Sequence, residues 1–130
     1  MSQDSIGDFL TIIRNGIMRS KPFVLAPFSS VKFDVAKILE QEGFVKGIQV
    51  VEEDNKKKLR VDLKYVDGES VIHSLKRISK PGLRQYKSFT ELKPVIGGLG
   101  VSILTTSKGF MTDKQAKQLA VGGEVVCTVW

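Results

Sequence analysis

The chain has 130 residues, 42% hydrophobic and 26% charged, with a formal net charge of +6; that length supports one ordinary domain or two small ones with a real core. One cysteine, Cys127, excludes an internal disulfide, and together with the single histidine, His73, it makes a poor zinc site. No run of about 18 apolar residues is present to span a membrane, and the opening Met1-Ser2-Gln3-Asp4 lacks the basic and apolar regions of a signal peptide, so a soluble, reducing compartment is the expectation.

Ile6, Phe9, Leu10, Ile13 and Ile17 recur at helical spacing, which predicts a helix over about residues 5–19 with Asp4 and Asp8 near its positive end. Thr11, Arg14 and Asn15 fall on its polar side. Pro22 and Pro27 bracket an extended piece, Phe23 to Ala26. Ser29 then reads as an N-cap with Phe28 placed to staple against Phe33, and Val31, Val35, Ile38 and Leu39 form a second helical stripe stopped before Gly43. Residues 44–51 are apolar-rich, and Leu59, Val61, Leu63 and Tyr65 alternate with Arg60, Asp62 and Lys64 as in a half-buried strand. The segment from Glu53 to Lys56 reads as a hairpin loop, with the lysine run Lys56-Lys57-Lys58 solvated beside it.

Asp67-Gly68 makes a turn, and residues 71–78 read as a strand. Pro81-Gly82 signals a type II turn with Gly82 at positive φ, after which Gln85, Tyr86 and Lys87 resume an extended run. Residues 91–96 suggest one helical turn. A strand over 101–105, a helix over 113–119 capped by Thr112 and broken by Gly122-Gly123, and a closing strand over 125–130 complete the chain. The fold class is α+β, with two small α+β domains: residues 1–68, ordered α-β-α-β-β with two helices on one face of a sheet, and residues 69–130, mostly β with short helices.

The positive charge is concentrated between positions 76 and 93, where Lys76, Arg77, Lys80, Arg84, Lys87 and Lys93 face only Glu91, a net +5. Such a stretch favours a polyanionic partner. Catalytic patterns are absent. His73 falls in a strand away from any nucleophile pattern, Cys127 reads as core, and Gly97-Gly98-Leu99-Gly100 lacks the lysine of a phosphate-binding loop. No cofactor, metal site, small-molecule substrate or enzymatic activity is expected. What remains is a set of turns. Thr105-Thr106-Ser107-Lys108-Gly109 offers hydroxyls that can bond phosphate oxygens and ribose 2′-hydroxyls, and Gly122-Gly123-Glu124 permits close backbone approach beside a carboxylate able to accept from base amino groups. With no basic recognition helix, zinc finger or aromatic ribonucleoprotein motif, the residues point to a folded-RNA reader. The alternative is a protein-interaction module whose basic face meets an acidic partner.

Longer strings of residues carry a family resemblance. They are the fifteen-residue run Leu99-Gly100-Val101-Ser102-Ile103-Leu104-Thr105-Thr106-Ser107-Lys108-Gly109-Phe110-Met111-Thr112-Asp113, then Gly122-Gly123-Glu124 and a terminal Val129-Trp130. Lys76-Arg77-Ile78-Ser79-Lys80-Pro81-Gly82-Leu83-Arg84 and Asp8-Phe9-Leu10-Thr11-Ile12-Ile13-Arg14-Asn15-Gly16 agree, as do Glu42-Gly43-Phe44 and Leu63-Lys64-Tyr65. In this order, and across essentially the whole chain, they resemble the bacterial-type small-subunit ribosomal protein family numbered eight. The resemblance implies a primary binder of the central domain of 16S-type ribosomal RNA in the cytoplasm, or in an organelle's ribosome. It implies a role in organising the small-subunit platform during assembly, with the small-subunit proteins numbered five and twelve as neighbours. It also implies that Thr106, Ser107 and Gly109 form an RNA loop, that Gly122, Gly123 and Glu124 form a second contact turn, and that Pro81, Gly82, Arg84, Tyr86 and Lys87 line the adjacent surface. Asp4, Thr11, Arg14 and Asn15 would set the first helix against RNA. Two departures stand out: Thr105 replaces the family's common Ser, and Lys117-Gln118-Leu119-Ala120 replaces an Arg-rich approach to the double glycine, with Leu119 expected to pack inward.

Overall fold

A computed structural model describes residues 5–130, and its contacts divide the chain into two units, Met1–Ile72 and His73–Trp130. The mixed α+β class expected from the sequence holds in both. No helix among the described residues is long and apolar enough to cross a membrane.

The first unit runs α1 (Ser5–Met18), β1 (Phe23–Pro27), α2 (Ser30–Gln41), β2 (Val45–Glu53), β3 (Lys56–Leu63) and a two-residue hairpin of β4 (Tyr65–Val66) and β5 (Glu69–Ser70). The three long strands form an antiparallel sheet in the order β1-β3-β2. Both helices pack on one of its faces, where Phe9, Leu10, Ile13, Val35, Leu39, Leu59 and Val61 lose all contact with water. Local chemistry places α2: the Ser29 hydroxyl accepts from the Lys32 amide at 3.2 Å, and the Phe28 and Phe33 rings staple the first turn with centroids 6.1 Å apart. Lys32 is itself buried, its ammonium donating to the Pro27 carbonyl at 3.0 Å, which satisfies a charge that burial would otherwise penalise.

The lysine run is not a loop. Glu53 pairs with Lys56 and Glu52 with Lys57 across β2 and β3, so the connection shrinks to Asp54 and Asn55, both at positive φ. That is the two-residue hairpin geometry whose twist matches the strands, and the cross-strand acid–base pairs extend the ladder to its end.

The second unit runs β6 (Leu75–Arg77), β7 (Tyr86–Lys87), β8 (Val101–Thr106), β9 (Gly109–Thr112), α3 (Asp113–Leu119) and β10 (Gly123–Val129), with single 3-10 turns at Phe89–Glu91 and Ile96–Gly98. Its sheet has the order β6-β10-β8-β9, and β7 joins the same edge of β10 as β6. Leu92, Leu104, Met111, Ala116 and Val125 form a core cluster beneath α3. The capping box of α3 is complete: Thr112 accepts from the Gln115 amide and the Gln115 side chain accepts from the Thr112 amide.

Several local expectations are corrected. The strand read over 71–78 is only Leu75–Arg77. The Val71 amide is engaged by the Lys64 carbonyl and the Ile72 amide by the Ser70 hydroxyl, so the chain joins the ladder only where Ser74 exchanges backbone bonds with Trp130, just ahead of Leu75. The helical turn read over 91–96 is replaced by the two 3-10 turns, the first capped by Ser88 and Glu91. Gly82 does not adopt positive φ, so its turn closes through reciprocal Lys80–Leu83 backbone bonds without the type II geometry. The helix α3 has the bounds read from the sequence, Asp113–Leu119, but it is stopped by Ala120, in the left-handed region with φ 55°, before the double glycine is reached. Leu119 is 48% exposed rather than packed inward.

Gly16 is buried on α1, and a Cβ there would stand 2.3 Å from Cγ1 of Val24 and 3.2 Å from Leu63. Alanine improves helix propensity by about 1 kcal/mol, but overpacking a stiff, buried valine costs about 1–3 kcal/mol. Gly16→Ala should therefore lower stability by up to about 2 kcal/mol in urea unfolding; a more stable variant would contradict this packing.

Candidate nucleic-acid interface

The second unit gathers three stretches that lie far apart in the sequence. At the start of β10, Gly123 pairs with Lys87 of β7 on one side and with Thr106 of β8 on the other, and Thr106 in turn pairs with Gly109 across the β8–β9 hairpin. One end of the sheet thus carries Tyr86 and Lys87, Gly122 to Glu124, and the turn from Thr106 to Gly109 side by side.

This convergence depends on two missing Cβ atoms. A Cβ on Gly122 would lie 2.5 Å from the Lys87 carbonyl oxygen, and one on Gly123 would lie 2.2 Å from that of Thr105. Both obstacles are backbone. The double glycine, read from sequence as a helix breaker and as a point of close approach for a partner, is a close-approach site between three segments of the chain itself.

In the β8–β9 turn the Thr106 hydroxyl donates to the Gly109 carbonyl at 3.0 Å and accepts from the Lys108 amide at 3.1 Å. Thr106 therefore shapes the turn from within, as such hydroxyls do when they bond nearby backbone. Gly109 takes φ 104°, a conformation disfavoured for side-chain-bearing residues. Ser107 and Lys108 sit exposed at the tip.

Between β6 and β7 the chain leaves the edge of β10 as a loop and returns. Backbone bonds from Ser79 to the Val125 carbonyl and from Val125 to the Gln85 carbonyl hold its base. Ser79 is 1% exposed. Its hydroxyl accepts from the Gln85 amide at 3.1 Å and donates to the Glu124 carboxylate at 2.5 Å. The same carboxylate oxygen accepts from the Arg84 guanidinium at 2.9 Å, and Arg77 donates to the Ser79 carbonyl. Burial alone raises the Glu124 carboxyl. The hydrogen bonds from Ser79 and Arg84, with the positive charges of Arg84 and Arg77, outweigh it and hold its pKa below the usual glutamate value of 4.5. Glu124 is thus engaged inside the protein as the hub that closes the 79–85 loop, and it orients Arg84. Pro81, Gly82, Arg84, Tyr86 and Lys87 are all exposed on or beside that loop, Tyr86 at 69%.

The sequence cluster of positive charge is less concentrated in space. Lys76 lies opposite Thr128, five positions along β10 from Gly123 and so roughly 16 Å away at strand rise. Sequence reasoning passed over Ser79 and Gln85. Ser79 sits among charged neighbours that draw the eye, and nothing local links it to Glu124, its partner 45 residues on.

In the first unit, Thr11 and Asn15 are exposed on α1 and Arg14 is half-buried beside them. The Thr11 hydroxyl donates back to the Gly7 carbonyl at 2.9 Å and receives Arg14 at 3.5 Å. Asn15, Arg19 and Lys21 line a cleft of about 520 Å³ between α1 and β1. Asp4 lies outside the described residues.

Fold and surface together define a basic, two-unit α+β protein whose exposed turns combine hydroxyls, glycines and cations. The chain belongs to the family described as Ribosomal protein S8, which it matches over residues 4–130. It is 53% identical over 128 residues to the small ribosomal subunit protein uS8 of Pseudomonas savastanoi pv. phaseolicola, 98% of each chain being covered. It is 52% identical to that of Pseudomonas fluorescens strain SBW25 and 53% to that of Pseudomonas putida strain KT2440, with the same coverage. The resemblance carried by the residue strings is thereby established.

Two outcomes follow from this geometry. Gly123→Ala must part β10 from β8, costing roughly 3 kcal/mol, and amide hydrogen exchange should accelerate first at Thr106 and Lys87; exchange unchanged at both would refute the close approach. Because the folded Glu124 carboxyl has a lowered pKa, its stabilisation is complete above the ordinary value and disappears as pH falls through the folded one. The stability gap between wild type and Glu124→Gln, read by urea midpoints at neutral pH and near about pH 3, should therefore shrink in acid. A constant gap would remove the carboxylate from this role.

Proposed function

We propose that this chain is a non-enzymatic structural constituent of the small ribosomal subunit and binds the central domain of its 16S-type ribosomal RNA, helping to organise the platform during assembly. Family membership and the names of the relatives support the ribosomal setting. The RNA assignment rests on one observation: the pairing of Gly123 with both Lys87 and Thr106 makes a single exposed edge from three separate turns.

The edge divides its work by chemistry. Arg84, Lys87 and Lys108 supply long-range attraction to phosphates, the share of affinity that salt weakens. Ser107, at the tip of a turn braced from within by Thr106, presents a hydroxyl to a sugar or phosphate oxygen in a fixed place. Gly109, with open space where a side chain would stand, lets the RNA backbone come close, Gly122 and Gly123 hold the three turns together as one contact surface, and Pro81, Gly82 and Tyr86 give the neighbouring surface its shape. Glu124 acts through Arg84 and Ser79 instead of reading a base. On the first unit, Thr11, Arg14 and Asn15 on the polar side of α1 are assigned a second RNA contact, and Asp4, outside the described residues, is assigned to the same contact. The small-subunit proteins numbered five and twelve are the proposed protein neighbours.

Filter binding to a transcribed central-domain fragment tests this. Ser107→Ala should cost about 1–3 kcal/mol if its hydroxyl bond is buried in the complex. Lys87→Ala should weaken binding and reduce the slope of log affinity against log salt by about one phosphate contact. Unchanged affinity in the first variant, or an unchanged slope in the second, would overturn the assignment of that residue.

A further inference from the structure

The first unit has an open sheet face, on the side of β1-β3-β2 away from α1 and α2. Strand alternation places Phe23 and Leu25 of β1 there with Arg60 and Asp62 of β3, since Val24, Ala26, Leu59, Val61 and Leu63 are the buried set. The register sets Phe23 opposite Asp62 and Leu25 opposite Arg60. The Arg60 guanidinium carbon lies 3.9 Å from the centroid of the Phe23 ring, at stacking distance. Its Nε donates to the Asp62 carboxylate at 2.9 Å, a bond in the guanidinium plane that fixes the group over the ring. The Arg60 side chain remains 38% exposed, and Leu25 beside it is 40% exposed. A cleft of about 660 Å³ adjoins the pair, lined by Lys46, Arg60, Asp62, Lys64 and Tyr65. The Tyr65 hydroxyl is anchored to the Lys21 carbonyl at 2.6 Å.

A planar cation backed by an aromatic ring, with further cations at the rim, has one well-defined complement. We propose that the exposed side of Arg60, backed by Phe23, is a stacking platform for an unpaired RNA base whose flanking phosphates lie against Lys46 and Lys64. Charge selects the polyanion: Asp62, the acid in this cleft, is already bonded to Arg60, whereas both lysines are exposed. The stack selects a base. A guanidinium plane accepts the π-face of any base, while an acidic peptide would gain nothing from Phe23 and would compete with Asp62 for Arg60. The surface is separate from the polar side of α1, and it depends on the RNA reading above only for the class of ligand.

The experiment uses the full chain and a fluorescein-labelled, unstructured oligoadenylate, followed by anisotropy. Arg60→Lys keeps the charge and removes the plane, so affinity should fall about tenfold with the salt dependence retained. Phe23→Leu should act in the same direction. Ser107→Ala should leave oligoadenylate binding unchanged while weakening binding of the structured central-domain fragment. Phe23→Leu, which leaves every charge in place, serves if Arg60→Lys does not fold. Wild-type affinity in Arg60→Lys would overturn the platform, as would no measurable binding of the oligonucleotide by wild type, or a polyglutamate competing as well as RNA. If Ser107→Ala leaves binding of the structured fragment intact, the reading of the second unit fails while the platform stands on its own result.

Discussion

The second unit is organised by the close approach of Gly122 and Gly123 to the backbones of Lys87 and Thr105. Backbone atoms cannot swing aside as a side-chain end can, so these positions admit no Cβ without separating strands. From that constraint follows the pairing of Gly123 with both neighbours, and from the pairing follows an edge where turns distant in the chain stand together. The residue after the glycines then has one place to be. The carboxylate of Glu124 lies against the buried Ser79 hydroxyl and the Arg84 guanidinium, drawing the 79–85 loop onto the same edge.

On the proposed RNA-binding function, this arrangement separates attraction from selection. The cations are exposed and pay little desolvation in the free protein, so they act at a distance and are sensitive to salt. The glycines and the Thr106 hydroxyl are fixed by backbone bonds and carry no net charge. They hold a surface of defined shape that an RNA helix either matches or does not. Fixing the surface before binding matters energetically, because a loop ordered in advance does not lose its freedom on association.

What the sequence disclosed followed the range of the interactions involved. The helix α1, the Ser29 and Thr112 caps and the alternation of β3 were legible because each depends on residues within a few positions. The lysine run misled because charge suggests a loop, whereas Glu52 and Glu53 stand across the strand to pair with it. Pro81-Gly82 fits more than one turn type, and only the reciprocal Lys80–Leu83 bonds decide between them. The site residues from 106 to 109 and from 122 to 124 were visible as turns, but their adjacency was not, since it is set by strand register. Register also hid the Ser79–Glu124 bond and the stacking of Arg60 on Phe23, which join residues without any sequence pattern in common.

The central claim is that the 79–85 loop and the 106–109 turn meet one RNA element as a single edge. Directed hydroxyl-radical probing tests it most directly, with iron tethered at Lys108→Cys and, separately, at Leu83→Cys, both exposed positions, while the native Cys127 is buried from the reagent. The account predicts that both probes cut the same helix of the central-domain RNA within a few nucleotides of each other. Cuts in separate helices, or none from either position, would contradict it.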